Sequence, residues 1–410
     1  MKTPVKRSVF VIGGGAAGFF SAIHHKIFHP ADEVTILEKT QQLLSKVKVS
    51  GGGRCNVTHA CFDISELVKN YPRGSEFLKT CFKQFMTTDT IKWFEQRGVM
   101  IKKEEDGRMF PVTNSSQTII DCFLNEVKKH NIKIITGDGF VKMEKKEDYF
   151  ILHSQQTTYK CDKIIITTGS SPQVWEAIKS CGHSIVRPVP SLFTFDVKDE
   201  RIKELPGVSV SLAKVLTSDG KIVTAGPLLI THRGLSGPAI LKLSAFGAEK
   251  FYDEKYKFSI FINWPGEEKK SIRARLSQLR DELAKKIIHT SSPFEIPVRL
   301  WKKLCDAAGV TDLKWASISN KQLDHLSEEL CNGKFEVNGK NTFKEEFVTC
   351  GGVDLPEVNP ETMESRIIPG VYFAGEVLNI DAVTGGFNFQ AAWTTGFIAG
   401  RSAANFANEH

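Results

Sequence analysis

The 410 residues are 41% hydrophobic and 25% charged, with 32 Gly and 16 Pro, a composition that excludes disordered, collagen-like and small disulfide-stapled chains. Length alone predicts roughly two to three domains. Fifty-four Lys and Arg against 47 Asp and Glu leave a net +7, which permits an anionic partner without requiring one. The nine cysteines are scattered and contain no C-x-x-C pair, so a reducing cytoplasm is the expected location.

The chain opens on a β-rich run, residues 7–12, that leads into Gly13-Gly14-Gly15-Ala16-Ala17-Gly18 and a helical apolar pattern from Phe19 to Phe28. Basic residues before an apolar stretch imitate a signal peptide, but the glycines interrupt it. No 18-residue apolar run exists, so neither a spanning helix nor a membrane partner is expected. A second strand, Val34 to Leu37, ends at Glu38. Strand, glycine turn, helix, strand and acid form a dinucleotide-binding unit. Gly13 makes the tight turn, Gly15 lets the backbone approach a pyrophosphate, and Gly18 lets the helix lie close to the strand. Glu38 suits ribose hydroxyls, and Ala17 and Lys39 complete the candidate contacts in this half.

Residues 50–58 place three consecutive glycines before Arg54, Cys55 and Asn56. The glycines, Gly53 among them, give a ligand access to the backbone, while Lys46, Arg54 and Asn56 offer donors to phosphate or flavin oxygens. Cys55 is either an acid that protonates substrate or a small buried residue. Cys55, His59 and Cys61 lack a fourth metal ligand at suitable spacing, so no metal is expected.

One helix is predicted over 75–97, a hairpin over 99–110 turning at Asp106-Gly107, a helix over 116–130, and strands near 132–135, 140–143, 149–153 and 163–167. The last strand runs into Thr168-Gly169, a further glycine turn close to the cofactor. After Pro190 the period changes to two, which predicts an antiparallel β insert reaching about residue 262. Within it, His232 and Arg233 sit on a turn before the helix-start residues Ser236 and Pro238, where they either meet substrate or are solvated. Residues 266–303 hold 10 Lys or Arg against 5 Asp or Glu. That helical piece is either a solvated face or an anion-binding surface.

Near the end, a strand over 370–374 delivers Gly375 and Glu376, with Asp381 following, so that carboxylates reach a ribityl chain. Gly385-Gly386-Phe387-Asn388 then opens an apolar helix whose N–H groups and dipole can face the N1 and O2 side of a reduced flavin. This far end selects FAD over NAD.

These motifs resemble the BaiN/YhiN-like family of FAD-binding oxidoreductases, the aminoacetone-oxidase-like flavoproteins, which include ribosomal-RNA dihydrouridine synthase-like members. GGGAAG at 13–18, KVKVSGGGRCNVT at 46–58, GRMFP at 107–111, THRGLSGPAIL at 231–241 and the block from Cys350 to Trp393 carry the likeness. The pattern departs from the family at Ser45, His59, Asn379 and Ala382. The resemblance implies an α/β chain with a discontinuous Rossmann-like FAD-binding domain (1–190 and 346–410), an inserted antiparallel β-barrel-like domain (191–264 and 316–345) and a small basic helical domain (265–315). It implies that Gly13, Gly15, Gly18 and Glu38 hold the ADP half and that Lys46, Gly53, Arg54, Asn56, Glu376, Asp381, Gly385, Gly386 and Asn388 surround the ribityl and flavin ring.

The expected activity is hydride transfer from reduced FAD to a conjugated C=C bond, with Cys55, Arg54 and His232 as candidate catalytic residues. A ribosomal-RNA uridine, reached through the basic insert, is the favoured substrate; a small enone such as a bile-acid intermediate is the alternative. A non-catalytic RNA-binding flavoprotein is the reading from another class. No second strand-G-x-G-x-x-G-helix unit exists, so NAD(P)H is expected only as a transient donor.

Overall fold

The computed structural model describes residues 6–341 and 348–404. The expected boundary at 345/346 lies outside the described residues. The chain divides into two compact units, residues 1–189 with 344–410, and residues 190–343.

The first unit is built on a five-stranded parallel sheet. In chain order its parts are β1 (Ser8–Ile12), α1 (Ala16–Phe28), β2 (Glu33–Glu38), β3 (Lys133–Thr136), β4 (Lys163–Ile166) and β5 (Val371–Phe373). The spatial order is β5-β4-β1-β2-β3, with Val11 paired to both Ile36 and Ile165. Central strands covered on both faces need apolar side chains on both, which is why β1 and β4 read as unbroken apolar runs. The last helix, α2 (Phe387–Ala404), packs along α1. A Cβ on Gly396 would lie 2.9 Å from the Ala17 carbonyl oxygen, and one on Gly400 would collide with that of Ser21. These two glycines therefore bring the helices into backbone contact, and their pairing with Ala17 and Ser21 makes the helices parallel.

Several local expectations are refined. Residues 75–97 form two helices, Ser75–Phe82 and Thr87–Glu95, because Asp89 accepts the Met86 N–H at 2.8 Å and starts a new helix there. The hairpin pairs Ile101–Lys103 with Arg108–Pro111, and Arg108–Pro111 also pairs with Thr58–His59. The three-stranded sheet of Phe140–Lys145 and Phe150–Ser154 includes Thr158–Cys161, a strand too short and polar to announce itself.

The second unit is a closed six-stranded barrel in the order Thr194–Val197, Gly234–Ser236, Val223–Thr231, Ser209–Thr217, Phe258–Asn263, Gly333–Asn341. Between its last two strands stand helices Lys269–Glu282, Val298–Ala307 and Asn320–Asn332. Of the stretch 316–345 assigned to the barrel by sequence, the described strand is Gly333–Asn341, whereas Asn320–Asn332 is helix and packs against Lys269–Glu282. Barrel and helices share one core that includes Trp264, Trp301 and Trp315. No helix among the described residues is long and apolar enough to cross a membrane.

Candidate functional site

The first glycine turn is shaped by what surrounds each glycine. Gly13 ends β1 at φ +108°, and a Cβ on it would lie 2.8 Å from the Thr167 carbonyl oxygen. A Cβ on Gly18 would collide with the Gly13 carbonyl. Gly15, by contrast, has no atom within 4 Å of the position its Cβ would take. It is the N-cap of α1, which has neither a side-chain cap nor an acidic residue in its first turn. An open, uncapped helix start of this kind fits an anion such as pyrophosphate.

Glu38 closes β2 beside that turn. Its carboxylate accepts the Gly14 N–H at 2.7 Å and the Thr40 N–H at 3.0 Å. The Thr40 hydroxyl also donates to Oε1, at 2.9 Å, so it is Oε2, with the Gly14 N–H alone, that keeps capacity for another donor such as a ribose hydroxyl. Lys39 is exposed next to it. On the neighbouring strand end, Thr167 Oγ1 donates to the Ile12 carbonyl at 2.8 Å, locking β4 to β1. The adjacent Thr168 Oγ1 is buried with no hydrogen-bond partner among the described residues. Gly169 follows at φ +60°, and its Cβ position lies 3.6 Å from Glu376 Oε2. Ala17, Gly375 and Glu376 come together here: a Cβ on Gly375 would lie 2.8 Å from that of Ala17. Glu376 also pairs with Lys46 and accepts the Thr349 N–H at 3.1 Å.

The second glycine turn opens α2. Gly385 and Gly386 stand at φ +127° and +95°, and a Cβ on Gly386 would lie 2.6 Å from the Thr58 carbonyl. Around it lies a scaffold that sequence reasoning missed. Tyr71 Oη donates to the Phe387 carbonyl at 2.7 Å, His59 Nδ1 meets the Gly385 carbonyl at 3.0 Å, and Trp393 Nε1 donates to the Val57 carbonyl at 2.9 Å. Thr58 and Thr90 both donate to Gln390 Oε1, at 2.6 and 3.0 Å. Partners so far apart in the chain leave no local signature.

Two of the expected flavin contacts, Asp381 and Asn388, have protein partners. Asp381 is fully buried and held by the Arg73 guanidinium through both carboxylate oxygens. Asn388 brackets Ala382, accepting its N–H at 3.0 Å and donating to its carbonyl at 3.1 Å. In this structure both side chains build the loop between Asp381 and Gly386.

Gly51, Gly52 and Gly53 all have positive φ, so the chain rolls over just before Arg54. Arg54 donates to Glu104 at 2.6 Å and lies 4.0 Å over the Phe110 ring. Asn56 is buried and accepts the Met109 N–H at 3.3 Å. Cys55 has positive φ and no exposed surface, and burial pushes its thiol up to about 12. At neutral pH it is a protonated thiol, sealed from solvent, which matches the small-buried-residue alternative. Cys61 Sγ faces the Asp63 carbonyl, and no group of three His, Cys, Asp or Glu suited to a metal occurs among the described residues.

His232 and Arg233 belong to the second unit, where they form the exposed tip joining Val223–Thr231 to Gly234–Ser236. Arg233 pairs with Asp196. In the basic helical region, Lys269 pairs with Glu328 and Arg273 with Asp324, both acids lying on Asn320–Asn332. Residues 304–332 carry two basic against five acidic residues, which lowers the +5 of 266–303 to +2 over 266–332. Lys270, Lys285, Lys286 and Lys302 remain exposed, with no ion pair among the described residues.

Comparison with known proteins places this geometry in context. A family model described as HI0933-like protein Rossmann domain matches residues 7–402. The ribosomal RNA dihydrouridine synthase of Escherichia coli (strain K12) is 27% identical over 395 residues, covering 94% of this chain and 95% of its own. The 3-dehydro-bile acid delta(4,6)-reductase of Clostridium scindens is also 27% identical, over 407 residues, covering 96% and 98%. Among solved structures, 3-ketosteroid delta1-dehydrogenase from Sterolibacterium denitrificans gives a TM-score of 0.51 at 10% identity, over 97% of this chain and 100% of that one. A flavocytochrome c3 fumarate reductase gives 0.50 at 15% identity, over 98% and 79%. At these identities the structural likeness speaks for the fold.

Proposed function

The chain belongs to the HI0933-like Rossmann family of FAD-binding oxidoreductases, and we propose that it reduces a conjugated C=C bond, that of a uridine in ribosomal RNA, to give dihydrouridine. The observation that carries the flavin reading is the offset of the two glycine turns. Gly396 of α2 lies level with Ala17, one residue into the parallel helix α1, so the N-terminus of α2 projects eight residues further than that of α1. At 1.5 Å per residue that offset along the helix axes is about 12 Å. An extended dinucleotide can therefore rest its pyrophosphate at Gly15 and its flavin ring at Gly385-Gly386.

Bound FAD would supply the hydride, with NAD(P)H as its transient donor. The protein's own contribution is placement. Gly15 and the uncapped start of α1 receive the phosphates, Glu38 receives the ribose, and Thr168 and Glu376 line the path between the turns. The start of α2 presents N–H groups and positive dipole to the electron-rich edge of the flavin. Cys55 remains the candidate proton source if substrate binding opens its surroundings. Cys55→Ala is then expected to slow product formation while leaving flavin uptake intact, and unchanged turnover removes it from that role.

RNA is favoured by the relatives named for that substrate and by the four unpaired lysines, which suit phosphate contacts. The pairing of Lys269 and Arg273 favours a second reading, reduction of a small neutral enone, because it lowers the charge offered to a polyanion. Raising salt from about 50 to 200 mM separates the two: RNA binding should fall steeply, whereas reduction of a neutral enone should hardly change. Mass spectrometry of ribosomal RNA from cells with and without the gene tests the substrate directly; identical dihydrouridine content refutes the RNA reading.

A further inference from the structure

His59 lies outside the set of residues assigned above to cofactor or chemistry, yet it touches the second glycine turn on two sides. Its Nδ1 is 3.0 Å from the Gly385 carbonyl oxygen, and its ring stacks on Phe387 with centroids 4.6 Å apart at 26°. The opposite edge abuts Gly107, where a Cβ would stand 2.5 Å from Nε2. The ring is thereby wedged between the Asp106-Gly107 turn and the start of α2.

A carbonyl oxygen only accepts, so Nδ1 must carry the proton in this contact. The peptide joining Gly385 to Gly386 is trans and planar, like every peptide bond among the described residues. Its C=O and N–H consequently point in opposite directions. Holding the Gly385 carbonyl toward His59 turns the Gly386 N–H the other way. Two successive glycines at positive φ have little stiffness of their own, so an external anchor is needed to fix that plane. Tyr71 supplies one on the next carbonyl, of Phe387.

We propose that His59 is a positioning residue that fixes the Gly385–Gly386 peptide plane and so aims the Gly386 N–H into the flavin site. The aim at flavin rests on the function proposed above, whereas the anchoring of the plane does not. The first test therefore needs no flavin. Nitrogen-15 NMR of the imidazole in the full chain is expected to show His59 as the Nδ1–H tautomer. In His59→Phe, which keeps the stack on Phe387 but has no donor, the amide signals of 385 and 386 should show conformational-exchange broadening at least twofold above wild type, at unchanged global stability. An Nε2–H tautomer, or unchanged broadening, overturns the proposal.

The second test uses the FAD-loaded protein. His59→Phe should lose about tenfold of the preference for reduced over oxidised flavin, a fall of about 30 mV in the two-electron midpoint potential. His59→Asn, which restores a donor, should recover part of it. A potential equal to wild type in His59→Phe refutes the link to flavin even if the anchor holds. Failure of the wild-type chain to take up FAD would instead strike the flavin reading, while the tautomer and exchange measurements would still decide the anchor.

Discussion

His24 shows how a single side chain here sets a pH response. It is buried on α1 among Phe20, Phe85 and Phe397, with Nδ1 on the Phe20 carbonyl at 2.8 Å and no carboxylate bonded to it among the described residues. Burial pulls it from 6.5 down to about 3. The folded state therefore keeps it neutral where the unfolded chain binds a proton, so its contribution is whole above about pH 6.5 and is lost as pH falls from there toward 3. His183, also lowered by burial despite its contact with Glu357, acts in the same direction. Denaturation between about pH 6.5 and 5 should show stability falling with acid, and His24→Phe should flatten that slope by up to about 1.4 kcal/mol per pH unit. An unaltered slope would show that the ring is solvated. Thiol reactivity gives a second residue-scale check. Ellman's reagent should label Cys61 and Cys181, which are partly exposed, long before Cys55, whose thiol is buried and held up to about 12. Early labelling of Cys55 would mean that its enclosure opens readily.

Among the structural elements, the two glycine turns separate stability from binding. Gly15→Ala puts a methyl into open space at φ −94°, a conformation alanine accepts, so folding stability should stay within about 0.5 kcal/mol. FAD affinity should nevertheless fall at least tenfold, because that methyl occupies the approach to the start of α1. Flavin fluorescence titration beside urea denaturation checks both halves. Gly400→Ala reverses the pattern: its methyl meets the Ser21 carbonyl in the contact between α1 and α2, and overpacking there should cost about 1 to 3 kcal/mol. The sequence made both turns visible because a glycine that must adopt positive φ or admit a backbone is an irreplaceable residue type. What it concealed were side chains that finish the site by acting at long range. Arg73 on Asp381, Tyr71 on the Phe387 carbonyl and Thr58 on Gln390 join residues more than 300 positions apart, and no spacing or periodicity encodes such pairs. The break at Met86 was legible in retrospect from Asp89, whose cap competes with an otherwise continuous helical period.

For the molecule as a whole, charge was readable as an amount and unreadable as an arrangement. The excess of residues 266–303 is real, yet helix Asn320–Asn332 returns acids to two of those bases. Reversing Lys270, Lys285, Lys286 and Lys302 together should weaken RNA binding at least tenfold and reduce its salt dependence, with little effect on stability. Reversing Lys269 and Arg273 should act less on RNA and cost at most about 1 kcal/mol per exposed pair. Equal loss from the two sets would remove the distinction between paired and free bases. Two glycine turns offset by about 12 Å along the helix axes are expected to grip one extended FAD. The most direct measurement is to strip the purified full chain of flavin, dialyse it against FAD and record the visible spectrum with the bound stoichiometry. One flavin per chain, with its absorbance altered from free FAD and its uptake weakened by Gly15→Ala, is the predicted result; a folded chain that stays colourless would contradict it.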